Sequence, residues 1–224
     1  MYIAIEGAIG VGKTTLARLL QPVFQAELLL EVFEENPFLS DFYADRQRYA
    51  FQTQIFFLLS RYHQQRRSVP AILGQGQTLF SDYTFDKDAL FAQINLHGDE
   101  LDMYYRVHEA LAEKIPPPDL VVYLRACTEV LMQRITLRDR PYERAMEREY
   151  IAELNMAYEA YFGSGRAIQH YMRSPVLVID TDDLNFVERL EDLKWVENRI
   201  RHALHQAPYQ PELPLEINLP PREP

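Results

Sequence analysis

Gly7-Ala8-Ile9-Gly10-Val11-Gly12-Lys13-Thr14 follows the short apolar run Tyr2-Ile3-Ala4-Ile5-Glu6 and opens into the helical pattern Thr14-Thr15-Leu16-Ala17-Arg18-Leu19-Leu20. The octet satisfies G-x-x-x-x-G-K-[ST] at every fixed position, in the strand–loop–helix setting that the motif needs. Gly7, Gly10 and Gly12 let the backbone of residues 7–15 wrap a phosphate with its N–H groups. Lys13 supplies a point charge, and Thr14 offers a hydroxyl to Mg²⁺. The helix that follows aims its positive end at the same anion. These residues predict a nucleoside triphosphate site six residues from the start of the sequence.

Composition narrows the class. A chain of 224 residues with 47% apolar content is long enough for one full α/β core. Its formal charge of −10 argues against a nucleic-acid polymer as partner, because polyphosphate backbones are held by basic surfaces. Cys127 is the one cysteine, which excludes a disulfide framework and a cysteine zinc site and fits a reducing cytosol. A strand beginning at Met1 or Tyr2 leaves no room for a signal peptide, and no apolar run approaches the ~20 residues that cross a bilayer. The expectation is a soluble, cytoplasmic protein with no membrane contact.

Strand and helix patterns alternate along the chain. Strands are expected at residues 27–33, 77–82, 119–124 and 175–180, after the first at 2–6. Helices are expected at 48–67, where Ser68-Val69-Pro70 ends an all-round apolar pattern, from 86, at 99–115, from a Thr128 N-cap to Arg138, and at 143–162. A last amphipathic helix carries Val187, Leu190, Leu193, Val196, Ile200 and Leu204 on one stripe. The alternation implies a parallel sheet with helices on both faces. Residues 1–205 form a single domain in this reading, and 206–224 form a proline-rich tail.

Two polar patterns stand out from that frame. Arg134 and Arg138 share a helical face, with Arg140 just beyond, and guanidiniums so placed repel unless an anion joins them. Pairing with Glu129 or Glu143 is the bland account; a mobile lid over transferring phosphate is the account a phosphate loop favours. Gln54 and Arg61 lie two turns apart on one face of the apolar helix and need buried partners. With Asp88 they make a set suited to reading a nucleobase edge.

The chain resembles the bacterial deoxynucleoside kinases, which are related to the deoxycytidine and mitochondrial deoxyguanosine kinases of animals. The resemblance rests on Ile5-Glu6-Gly7 through Thr14, on Glu34-Glu35-Asn36-Pro37-Phe38-Leu39 with Phe42-Tyr43-Ala44-Asp45, on Tyr49-Ala50-Phe51-Gln52-Thr53-Gln54, on Ser60-Arg61, and on residues 134–143. It implies a P-loop kinase fold, a five-stranded parallel sheet and an Arg-rich lid. It implies ATP and Mg²⁺ as cofactors, with Thr14 and Asp82 at the metal and Lys13, Arg134 and Arg138 at the transferring phosphate. Arg140 and Asp182, the latter in the loop that packs on adenine, complete the ATP contacts.

The same resemblance makes Glu31 the general base, with Glu34 a rival. It assigns Tyr43 and Glu143 to the sugar and Gln54, Arg61 and Asp88 to the base. One departure is plain: the family's Asp/Glu-Arg-Ser/Thr triplet reads Asp82-Tyr83-Thr84 here, and Lys87 is the substitute charge. The implied reaction is phosphorylation of the 5′-hydroxyl of a deoxyribonucleoside, with a purine preferred, by a homodimer or a heterodimer with a related subunit. A thymidylate-kinase type of monophosphate kinase and a non-catalytic nucleotide-binding subunit are the alternatives.

Overall fold

The computed structural model describes residues 1–32, 35–144, 146–163 and 174–205. Five parallel strands form one sheet, β1 (Tyr2–Glu6), β2 (Ala26–Leu29), β3 (Thr78–Ser81), β4 (Leu120–Arg125) and β5 (Val176–Asp180), in the order β2-β3-β1-β4-β5. β1 lies at the centre, with Ile3 opposite Phe80 of β3 and Leu120 of β4. Chain order reverses there, so the loop after β1 opens at the sheet's topological switch point, where α/β proteins bind ligands. All five residues of β1 are buried, the charged Glu6 included.

Eight α-helices complete the described residues: α1 (Lys13–Phe24), α2 (Leu39–Ala44), α3 (Arg46–Gly74), α4 (Lys87–Asn95), α5 (Gly98–Ala112), α6 (Thr128–Arg138), α7 (Arg148–Tyr158) and α8 (Leu190–Ala203). Their end charges suit the helix dipole. Asp99 and Glu100 open α5; Glu191 and Asp192 open α8, and Arg201 and His202 close it.

Several boundaries differ from expectation. β2 stops at Leu29, which frees Leu30 to Val32 as loop beside the site. α3 runs through Pro70 to Gly74. An interior proline costs about 3 kcal/mol, and here the last turns pack Val69, Ile72 and Leu73 on Tyr2, Ala4, Leu29, Leu79 and Tyr83. Cys127, not Thr128, caps α6, and Asp182 accepts its N–H at 2.8 Å. The expected 143–162 helix is divided: a 3-10 turn at Pro141–Glu143, then α7, then a π-helical turn at Glu159–Gly163. The final stripe is shorter than expected. Val196 and Ile200 are buried, while Val187 precedes α8 and is exposed, as is Leu190. The proline-rich tail lies outside the described residues.

The inward face of α3 is also unlike the expected all-round apolar helix. Its buried residues are Ala50, Thr53, Gln54, Leu58, Arg61, Tyr62, Gln65 and Val69, while Leu59 is exposed. A helix that buries two glutamines and an arginine faces more than packed side chains.

Candidate active site

The phosphate loop is shaped by sterics as much as by charge. Gly10 has φ +89°, and a Cβ there would lie 2.8 Å from Ile135 Cγ1 and 2.9 Å from the Leu131 carbonyl. Gly12 has φ +104°, with Phe186 of the loop after β5 packed against it. These positions require glycine. Lys13 curls back over the loop, its Nζ donating to the carbonyls of Gly7 at 2.6 Å and Ala8 at 3.1 Å. Burial, with the nearby Lys87 charge, lowers its pKa to about 8.

Two cavities flank the loop. One, of about 620 Å³, is lined by Gly10, Val11, Gly12, Thr15, Arg134, Arg138, Asp182 and Phe186 among others. The other, of about 110 Å³, lies between Lys13, Thr14, Glu31, Tyr43, Gln54, Arg61, Asp82, Lys87, Arg138, Arg140 and Glu143. Gly10 and Arg138 line both, so the cavities lie side by side at the phosphate loop.

Within the smaller cavity the carboxylates are organised around cations. Arg61 donates to Glu31 Oε1 from Nε at 3.0 Å and from Nη2, and pairs with the fully buried Asp88 through Nη1. Lys87 Nζ donates to Glu31 Oε2 at 2.6 Å. Burial alone would raise the Glu31 pKa; Arg61 and Lys87 hold it well below the usual carboxylate range. Asp82 accepts the Glu31 backbone N–H at 2.8 Å and the Thr14 hydroxyl. Gln54 Oε1 and Thr53 Oγ1 are buried beside them without a hydrogen-bond partner among the described residues. Such atoms cost about 1–3 kcal/mol each unless a ligand meets them. Tyr43 stacks on Tyr142, ring centroids 6.1 Å apart, along the same wall. Glu34, the rival to Glu31, lies outside the described residues.

The arginines at the end of α6 separate. Arg134 donates to the Thr181 carbonyl at 2.6 Å and to the Val11 carbonyl at 3.4 Å, on the side of the larger cavity. Arg138 and Arg140 both pair with the buried Glu143. Of the two carboxylates weighed as partners, Glu143 is therefore the one used; Glu129 pairs with Arg148 instead. Tyr83, at the position of the family arginine, is wholly buried and donates its hydroxyl to Gln64 Oε1 at 2.6 Å.

Glu6, beside the first glycine of the phosphate loop, lines neither cavity but is fully buried at the loop's root, where pattern reading saw only the last residue of an apolar strand. It accepts from the Gly7 N–H at 3.3 Å, the Tyr158 hydroxyl at 3.2 Å and both the N–H and hydroxyl of Thr84, at 2.5 and 2.8 Å. Burial raises its pKa, against the pull of Lys87 and Lys13. The available signal was a charged residue closing a strand otherwise suited to full burial.

The adjacent Thr14 hydroxyl and Asp82 carboxylate are hard oxygen donors suited to Mg²⁺. Among the described residues no group of three or more His, Cys, Asp or Glu side chains is placed to hold a metal ion by itself.

A phosphate loop at the switch point, two adjoining cavities and a carboxylate between cations define a P-loop enzyme that moves a phosphoryl group to a small acceptor. The deoxynucleoside kinase family model matches residues 3–205, and the chain belongs to that family. It is 32% identical over 207 residues to deoxyguanosine kinase of Bacillus subtilis, covering 91% of this chain and 97% of the relative. With deoxyadenosine kinase of Dictyostelium discoideum the identity is 33% over 210 residues, covering 92% and 82%. The solved structure of deoxyadenosine kinase from M. mycoides with bound dCTP superposes with a TM-score of 0.75 at 26% identity, covering 90% of this chain and all of the other. The protein is a deoxynucleoside-phosphorylating enzyme, which decides among the alternatives that the sequence left open.

Proposed function

We propose that the protein transfers the γ-phosphoryl group of ATP to the 5′-hydroxyl of a purine deoxyribonucleoside. The observation that carries this reading is that Gly10 and Arg138 line both cavities, with Glu31 in the smaller one on the acceptor side. ATP occupies the larger cavity, its adenine beside Asp182 and Phe186 and its phosphates on the N–H groups of residues 7–15. Lys13, Arg134 and Arg138 carry the charge of the transferring group, with Arg140 beside them; the end of α6 acts as a lid. Thr14 and Asp82 hold Mg²⁺, which supplies charge neutralisation when bound.

On the acceptor side Tyr43 and Glu143 take the sugar. Gln54, Arg61 and Asp88 read the base: Asp88 and Gln54 Oε1 accept from an exocyclic amine, which adenine, guanine and cytosine present and thymine does not, and the choice of purine over cytosine rests on the family resemblance. Glu31 orients the 5′-hydroxyl and receives its proton as the oxygen attacks phosphorus. Residues 1–205 act as one catalytic domain. The family resemblance supports assembly as a homodimer or with a related subunit, in the cytoplasm. No helix among the described residues is long and apolar enough to cross a membrane.

ADP release measured with ATP and each of the four deoxynucleosides, and with their monophosphates, tests the reading. Turnover with deoxyadenosine or deoxyguanosine above all others is expected. Turnover with monophosphates alone would overturn it.

A further inference from the structure

Lys87 is 5% exposed, and an ammonium so deeply buried needs a partner. Among the described residues it has one ion-pair partner, Glu31 Oε2 at 2.6 Å. The other cation on Glu31 is fixed differently. Arg61 takes Oε1 with two nitrogens and is tied to Asp88 behind, so it is clamped by carboxylates on both sides. Oε2 is thus the oxygen through which an acceptor hydroxyl can reach Glu31, and Lys87 is what covers it.

We propose that Lys87 is a movable counter-charge for the phosphoryl-transfer step: it holds Glu31 in place in the empty site and turns from Oε2 to the transferring phosphoryl group when the acceptor hydroxyl takes Oε2. The inference rests on the reaction proposed above. Lysine suits the task because its charge is compact and sits on a flexible four-carbon stem, whereas a guanidinium doubly clamped as Arg61 is cannot swing. Lys87 and Lys13 line one cavity and feel each other's charge. Two ammoniums so placed repel, and a phosphoryl group between them removes the repulsion. No cation is available from position 83, where the tyrosine is packed among Tyr2, Leu29, Val69 and Leu79.

In the step itself, O5′ forms its bond to the γ-phosphorus while the bond from that phosphorus to the β,γ-bridging oxygen breaks, and the electron pair leaves with ADP. The hydroxyl proton passes to Glu31 Oε2. Lys87 neither gains nor loses a proton.

The test compares wild type, Lys87→Met and Lys87→Arg by steady-state kinetics, with nucleoside affinity measured by calorimetry. Lys87→Met is expected to lower kcat about 10²-fold while nucleoside Kd stays within about threefold, because the lost contact belongs to the transition state. Lys87→Arg is expected to recover most of that loss. The charge-bearing Lys87→Arg also serves if Lys87→Met fails to fold: a kcat reduced more than about 10²-fold in a folded Lys87→Arg would overturn the proposal. So would a Lys87→Met with wild-type kcat, or one whose entire defect lies in nucleoside Kd. If wild type itself releases no ADP with any deoxynucleoside, the reaction reading fails and this inference with it. If wild type turns over and Lys87→Met matches it, the role of Lys87 alone is lost.

Discussion

Arg138 and Glu143 are locked together, Arg138 Nη2 donating to Oε1 at 2.7 Å and to Oε2 at 2.8 Å. The carboxylate assigned to the sugar therefore also restrains an arginine assigned to the phosphates, so the two half-sites share a part. Glu143→Gln weakens both charge-assisted bonds. Its KM for the deoxynucleoside should rise about tenfold, and discrimination against a 2′,3′-dideoxynucleoside, which has no 3′-hydroxyl to offer, should fall by a similar factor. Kinetics with the matched pair of acceptors checks this; unchanged discrimination would remove Glu143 from the sugar site.

Lys13→Ala should abolish turnover and leave the melting temperature within a few degrees of wild type. Among the described residues Lys13 Nζ bonds loop carbonyls alone, so its contribution lies in transition-state charge rather than in core packing. Near-normal activity in the variant would place the chemistry elsewhere.

Glu31→Gln keeps the side-chain shape and removes proton acceptance. We expect kcat to fall about 10²–10⁴-fold with little change in nucleoside Kd. The variant should also melt lower, because Arg61 and Lys87 lose the charge that each of them faces. If Glu34→Gln shows the kinetic phenotype and Glu31→Gln does not, Glu34 is the base.

Asp88→Ala should lower kcat/KM for the best deoxynucleoside by more than it lowers that for thymidine. The substitution removes an acceptor for exocyclic amines and frees one side of the Arg61 clamp. A wild-type enzyme that phosphorylates thymidine best would defeat both the base-pocket assignment and the purine preference.

Glu6 gives a pH signature in stability. Its folded pKa is raised by burial above the ordinary carboxyl value of 4.5. The native state therefore holds a proton that the unfolded chain has released between that value and the raised one. By linkage, the contribution of Glu6 to stability is present below the unfolded pKa and is lost as pH rises through the folded pKa. Relative to Glu6→Gln, wild type should gain melting temperature as pH is lowered from 7 towards 4.5. A difference that stays flat, or runs the other way, would mean that Glu6 is ionised throughout and held by Thr84, Gly7 and Tyr158.

The amino-acid sequence by itself determined the elements whose causes are local. β1 and β4 are short apolar runs, the glycines of residues 7–12 sit where φ is positive, and Lys13 and Thr14 follow at motif spacing; each is specified by neighbours a few residues away. The resemblance also carried the roster of candidate side chains, from Glu31 to Glu143. Only the tertiary structure decided which of these charges meet. Glu31, Arg61, Asp82 and Lys87 come from the loop after β2, from α3, from the end of β3 and from the start of α4, and the placing of β3 between β2 and β1 brings them together. The choice of Glu143 over Glu129, the passage of α3 through Pro70 and the burial of Glu6 were settled in the same way. Periodicity and turn chemistry act over a few residues, whereas ion pairing and burial depend on partners tens of residues apart that only the folded sheet makes neighbours.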